Sequence, residues 1–264
     1  MLTMIPPRSA LFLPASNPRA IEKARTLDAD LTILDLEDAV SPAAKNGARA
    51  AALSAVARFG ERPVAIRING AGSEWHEADV GAVAASGAAC VVVPKVEDAG
   101  ALVALGAQLG KPLVAMIESP LGVFEARRIA ACAGVIGLFI GTNDLTAALR
   151  VPDRAGLTTA LQMVVLAARA AGCWVLDGVY NQLDDPHGFS AECASGRALG
   201  FDGKTLIHPN QLPPCHAAFS PSAAELEDAR ALIAAAGEGA SRFRDRMVEA
   251  MHVASAQALL ARAG

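Results

Sequence analysis

Residues 113–126 read LVAMIESPLGVFEA. Five apolar residues run without the polar alternation of a half-exposed strand, so both faces of the segment are buried, as in a parallel sheet covered by helices. Glu118 then stands bare at the end of the run. Pro120 suits the first turn of a helix and Ser119 its cap, which places the carboxylate where a strand gives way to a helix. One βα unit is thereby defined, with an acid at the C-terminal end of its strand.

The same design recurs on both sides. Short apolar or β-branched runs appear as ALFLP (10–14), DLTILDLE (30–37), PVAIRIN (63–69), ACVVVPK (89–95), PLVAMIE (112–118), GLFIGTND (137–144), CWVLDGV (173–179) and FDGKTLIHP (201–209). Ala/Leu-rich amphipathic stretches such as SPAAKNGARAAALSAVARF and VEDAGALVALGAQLG lie between them. A strand about every 25–30 residues is the repeat of a βα unit with short loops. Eight such units predict an α/β fold, a (β/α)8 TIM barrel, in preference to an open doubly wound sheet. The first strand is followed by LFLPASNPRA, which lacks the GxGxxG turn of a dinucleotide-binding sheet. The Pro-rich segment 213–221 reads as a hinge or linker. It divides a catalytic barrel, residues 1–220, from a C-terminal helical appendage, residues 221–264, predicted as two helical stretches without strands.

Composition narrows the function. The 264 residues are 53% hydrophobic and 19% charged, with a formal net charge of −4 and only five lysines, so nucleic acid is not an expected partner. The apolar N-terminus is interrupted by prolines and has neither a charged n-region nor about 18 consecutive apolar residues, which reads as a soluble, cytoplasmic protein without a membrane span. Five cysteines, at 90, 132, 173, 193 and 215, never form a CxxC pair and read as small buried hydrophobes.

In a barrel of this kind the active site forms at the C-terminal ends of the strands. The residues expected there are Pro14, Glu37 with Asp38, Arg67 with Asn69, Lys95, Glu118, Asp144, Asp177 and His208. Glu118 in AMIESPLG and Asp144 in FIGTNDL follow adjacent strands in matching positions. Two bare carboxylates brought together repel unless a cation lies between them. Oxygen ligands without a nearby Cys or His pair suit Mg²⁺ or Mn²⁺. The competing reading is that each acid caps its own helix through the dipole. Arg67 offers a planar fork to a substrate carboxylate, the alternative being an ion pair with Glu37 or Glu118. Glu37 and Asp38 are expected to organise that neighbourhood, holding Arg67 or a water of the ion. Asp35 is assigned to the other face of its strand. His208 is either a substrate contact or a satisfied loop histidine.

The motifs RSALFLPASNPRAIEKA, DLEDAVSPAAK, IRING, VVVPKVED, AMIESPLGV, GTNDL, DGVYNQLDDPHGF and GFDGKTLIHPNQL resemble, in order and over nearly the whole chain, the citrate lyase β-subunit-like branch of the HpcH/HpaI aldolase superfamily. Malyl-CoA and citramalyl-CoA lyases are its close relatives. The resemblance implies a Mg²⁺-dependent carbon–carbon lyase acting on 3-hydroxyacyl thioesters, with CoA as part of the substrate and a homotrimeric or hexameric assembly. By motif position it implies Glu118 and Asp144 as metal ligands, Arg67 as ligand of the substrate carboxylate, and Glu37 and Asp38 as active-site acids. Arg8 and Lys23 fall where family members approach the CoA chain or its phosphates. The closing segment RFRDRMVEAMHVASAQALL resembles the family's Met-Ile/Val-Asp followed by a helix, whose aspartate is the acid/base delivered from a neighbouring subunit. Glu249 occupies that place here, and the helix after Gly237 is read as a lid.

Three alternatives stay open at this point: a metal-dependent aldolase of 4-hydroxy-2-oxo acids without CoA, a Schiff-base aldolase using Lys95 or Lys204, and a non-catalytic subunit that uses the pocket for recognition alone.

Overall fold

The structure is a computed structural model, and it describes residues 5–236, 241–244 and 246–261. The chain divides into two compact units, one up to Ala218 and one from Phe219 onward.

The first unit is a closed barrel of eight parallel strands in sequence order. The strands are β1 (Ser9–Pro14), β2 (Leu31–Asp35), β3 (Val64–Arg67), β4 (Cys90–Val93), β5 (Leu113–Ile117), β6 (Val135–Ile140), β7 (Trp174–Asp177) and β8 (Gly203–Leu206), with β8 pairing back onto β1. Around them stand α1 (Pro18–Ala24), α2 (Lys45–Val56), α3 (His76–Ala84), α4 (Ala99–Leu109), α5 (Pro120–Ala130), α6 (Thr142–Leu149), α7 (Thr158–Ala171) and α8 (Pro186–Leu199). Helix starts follow the expected chemistry. Asn17, Asp98, Ser119 and Asp185 each accept a backbone N–H of the first turn, and Pro18, Pro120 and Pro186 occupy positions where the missing N–H costs nothing. The αL residues Gly110, Gly172 and Gly200 terminate α4, α7 and α8.

Strand parity sorts side chains between lumen and helical layer. Leu31 and Ile33 of β2, Ala65 of β3, Val114 and Met116 of β5 and Trp174 and Leu176 of β7 share one buried cluster inside the barrel. The Trp174 ring lies against Gly137 of β6 so closely that a Cβ there would stand 2.4 Å from the ring. The same parity carries Asp35, Arg67 and Glu118 to the inner face at the C-terminal mouth. It carries Asp177 outward, where its carboxylate meets Arg154 at 2.8 Å and the fully buried Lys204 at 2.9 Å, with Glu192 of α8 closing the network at 2.6 Å from Lys204.

The division between the two units falls within segment 213–221, but most of that segment is helical rather than a hinge. Leu212–Phe219 forms α9, with Pro213 and Pro214 tolerated because they fall in its first turn. His216 of α9 hydrogen-bonds the buried Ser9 hydroxyl at 2.8 Å and stands 3.7 Å from both Asp28 and Asp30. Burial and the Arg8 charge hold its pKa below the usual value, outweighing the two aspartates. A base with a depressed folded pKa favours the folded state fully above its unfolded value of about 6.5, and that contribution is lost as pH falls below it. Denaturant midpoints of the wild type are therefore expected to fall between pH 7.5 and 5.5, and His216→Gln to show a smaller fall. Equal pH dependence in the two proteins would show that His216 takes no part.

The second unit contains α10 (Ala223–Ala235) and α11 (Ala250–Ala261), capped at one end by a Ser222–Glu225 capping box. Between the helices, Ser241–Phe243 (β9) and Arg246–Val248 (β10) pair as an antiparallel hairpin, so the appendage is not helical throughout. The period there is two rather than 3.6: Phe243 and Val248 join the small core of Ala229, Leu232 and Ala256. Gly237, taken from the sequence as the start of a lid, lies outside the described residues. No helix among the described residues is long and apolar enough to cross a membrane.

Candidate active site

At the C-terminal mouth of the barrel a cavity of about 320 Å³ is lined by Asp35, Asp38, Arg67, Glu118, Gly141 and Asp144 among others. The β5 acid that opens the sequence reading is 5% exposed. Its Oε1 accepts the backbone N–H of Lys95 at 2.6 Å. Its other oxygen lies against Gly141, where a Cβ would come within 2.4 Å of it, so only glycine leaves the carboxylate its place. Burial, partly offset by the Lys95 amide, together with the charges of Glu37 and Asp144 pushes the Glu118 pKa up to about 7. Asp144, in the first turn of α6, has no protein partner among the described residues.

Arg67 is 7% exposed and is held before any ligand arrives. Its Nε and Nη2 bind the two oxygens of Asp35 at 2.6 and 2.7 Å, its Nη1 stands 3.1 Å from Glu37 Oε2, and Phe12 lies beneath the guanidinium at 5.0 Å. Although burial disfavours the charge, Asp35 and Glu37 raise the Arg67 pKa still further above its usual value. This corrects the reading of Asp35. As the residue two places after Ile33 it faces inward, and it takes the Nε/Nη2 edge of the Arg67 fork, leaving Nη1 facing Glu37.

Glu37 is buried between two cations: Arg67 at one oxygen and Lys95 Nζ, 3.1 Å away, at the other. Burial raises its pKa despite them. Asp38 is exposed at the rim, 3.6 Å from Arg67 and 3.8 Å from Lys95. The loop carrying both acids is fastened by Lys45, whose ammonium donates to the carbonyls of Leu36 and Glu37 at 2.7 Å and to Asn69 Oδ1 at 2.6 Å. Sequence reasoning missed Lys45 and Asp35. The signal for the second was present, since Leu31, Ile33 and Asp35 share a parity.

The remaining expectations divide. Asn69 supports rather than lines the site, through Lys45 and Asp79. Asp177 is turned into the helical layer and is not part of the site. His208 caps the turn Pro209–Gln211 by accepting the Asn210 N–H. Arg8 also departs from its expected place. It precedes β1, at the opposite end of the barrel from the cavity, and its guanidinium is bound to Asp30 at 2.7 and 2.8 Å. It is therefore not positioned to approach a thioester at the mouth. Lys23 is exposed in the last turn of α1. Glu249 precedes α11 in the second unit, its backbone N–H donating to His252 Nδ1 at 3.0 Å. Lys95 and Lys204 are both ion-paired, and their pKa values are raised by those partners in spite of burial, which is the opposite of what a Schiff-base lysine needs.

Residues 8–209 match the HpcH/HpaI aldolase/citrate lyase family. The chain belongs to that family. It is 43% identical to the (3S)-malyl-CoA thioesterase of Cereibacter sphaeroides, over 98% of this chain and 95% of the relative. It is 33% identical to the citrate lyase subunit beta of Escherichia coli, over 97% and 93% of the two chains. The crystal structure of CitE from Mycobacterium tuberculosis in complex with magnesium, acetoacetate and coenzyme A superposes with a TM-score of 0.86, at 33% identity and over the full length of both chains. As a citrate lyase β-like member of the HpcH/HpaI family, the chain is an enzyme of the CoA-ester lyase type.

Proposed function

We propose that the chain is a Mg²⁺-dependent carbon–carbon lyase that splits a 3-hydroxyacyl thioester of the malyl, citramalyl or citryl type into a keto acid and an acetyl-CoA-type thioester. The observation that carries this reading is the pair Glu118 and Asp144, two carboxylates lining one cavity beside Arg67, the first with an oxygen against Gly141 and the second without a protein partner among the described residues. Among the described residues no three His, Cys, Asp or Glu side chains converge on a metal position, so an ion here takes its further ligands from water and substrate, as Mg²⁺ or Mn²⁺ does. The all-oxygen donor set and the crowding at Glu118 fit such an ion. When bound, it supplies Lewis acidity to the hydroxyl and carboxylate oxygens of the substrate.

The protein's own groups do the rest. Nη1 of Arg67, the corner that Asp35 leaves and Glu37 faces, takes the substrate carboxylate. Glu37 and Asp38 set the charge around it. The departing thioester enolate needs a proton at carbon, and Glu249 is assigned as that acid, delivered from a second copy in a homotrimer or hexamer. Lys23 is assigned to the CoA phosphates. The names of the relatives favour a CoA thioester over a free 4-hydroxy-2-oxo acid, and the similarity of the whole chain to enzymes favours turnover over recognition alone. A second reading is hydrolysis of the thioester, which the 43% identity to a malyl-CoA thioesterase supports.

The test is a panel of malyl-, citramalyl- and citryl-CoA with mass detection, with and without EDTA. Keto acid plus acetyl-CoA establishes carbon–carbon cleavage, free hydroxy acid plus CoA establishes hydrolysis, and turnover undiminished by EDTA sinks the ion. Arg67→Lys is expected to cost about 10²-fold in kcat/KM, because a point charge cannot span both Asp35 and the substrate. Unchanged kinetics in that variant would make Arg67 a structural residue only.

A further inference from the structure

Among the described residues, three non-glycine residues have a left-handed backbone: Lys95 (φ 52°), Arg150 (φ 55°) and Arg244 (φ 55°). Arg150 terminates α6, and Arg244 is the turn residue after β9, both ordinary places for that conformation. Lys95 is different. It follows β4, stops no helix, and costs the chain a strained residue where glycine would sit freely. Two contacts hold it there. The backbone N–H reaches Glu118 Oε1 at 2.6 Å, a charge-assisted bond, and the ammonium reaches Glu37 Oε1 at 3.1 Å. A glycine could make the first contact but not the second.

We propose that Lys95 is a positioning residue for the cation site: its left-handed backbone locks one oxygen of Glu118, and its ammonium neutralises Glu37 beside Arg67. The proposal rests on the reading of Glu118 and Asp144 as ion ligands. With Oε1 held by the amide and Oε2 beside Gly141, the Glu118 carboxylate would meet an ion in a rotamer already fixed, so the side-chain entropy is lost on folding rather than on binding. The ammonium acts separately. It balances a buried carboxylate that would otherwise compete with the substrate for Arg67.

The two roles separate at a single position. Mg²⁺ titration calorimetry on the full chain without thioester reads the backbone role, with thermal midpoints recorded for every variant. Lys95→Gly and Lys95→Asn, which accept the left-handed conformation, are expected to bind Mg²⁺ within about twofold of wild type. Lys95→Val, which resists it, is expected to bind about tenfold more weakly, the factor for one side chain left to be immobilised on binding. If Lys95→Val does not fold, Lys95→Ala replaces it and should fall between. Both Gly and Asn variants should show a raised KM at saturating Mg²⁺, since they lack the ammonium. Equal Mg²⁺ affinity in the Gly and Val or Ala variants overturns the backbone role. An unchanged KM in the Gly and Asn variants overturns the ammonium role. Glu118→Ala serves as the control for the ion site itself: Mg²⁺ binding that survives it, or no binding by the wild type, removes the cation reading and this inference together.

Discussion

Glu118→Ala and Asp144→Ala are each expected to lower Mg²⁺-dependent turnover by at least about 10³-fold, the equivalent of ~4 kcal/mol in transition-state stabilisation, while leaving the barrel folded. The size of the effect follows from the ligand count. A site with two protein carboxylates loses half its anionic ligands in either variant, and Mg²⁺ dehydrates too reluctantly for water to make up the difference. The fold should tolerate both changes. Asp144 is exposed and has no protein partner among the described residues, and removing Glu118 relieves a carboxylate that burial already disfavours. Glu118→Gln separates shape from charge. It keeps the volume against Gly141 and an acceptor for the Lys95 amide, and should be nearly as inactive as the alanine variant. Circular dichroism and thermal midpoints establish folding, and the thioester panel reads turnover. Near-wild-type rates in either carboxylate variant would overturn the assignment of the ion.

The second large effect belongs to Glu249. Its alanine variant is expected to lose between about 10² and 10⁴ in kcat, the range of a general acid, and to keep its affinity for the thioester. The residue is one methylene longer than the aspartate that the resemblance implies at this place, enough to shift the carboxylate by about 1 Å. Glu249→Asp is therefore informative in its own right, since a pocket adjusted to glutamate should be slowed by the shorter chain. If the acid comes from a second copy, mixing Glu249→Ala with Glu118→Ala under conditions that exchange subunits should recover part of the turnover, because hybrid sites then contain one intact set of groups. Full activity in the alanine variant would reject the role. An inactive mixture, with exchange verified, would place Glu249 in the same copy's site or outside any site.

The barrel was legible because parallel strands buried on both faces leave an unmistakable trace, eight apolar runs punctuated at a constant interval. The ends of those runs were harder. Asp177 and Glu118 close their strands in the same way, yet one residue of parity sends the first to Arg154 and Lys204 and the second into the cavity. Applying parity to Asp35 would have found the partner of Arg67. Contacts made by backbone groups leave no such trace. Nothing in VVVPKVED announces that Lys95 turns left-handed to meet an acid 23 residues away. The same holds for the second unit, where Ser241–Val248 is too short and too charged for its hairpin to be told from the start of a helix. Pro213 and Pro214 misled for the opposite reason, since prolines begin helices as readily as they end them.

The mouth of the barrel carries a formal excess of acid: Asp35, Glu37, Asp38, Glu118 and Asp144 stand against Arg67 and Lys95. A CoA ester is itself a polyanion, and the whole chain bears a formal charge of −4. Diffusional encounter between the two is consequently uphill in the long-range field, and less so once a divalent ion has entered. This gives the proposed reaction an order of arrival, cation before thioester. It also gives the association rate an unusual salt response, rising with ionic strength in the ion-free protein as the repulsion is screened over about 10 Å, and rising less steeply once Mg²⁺ is saturating.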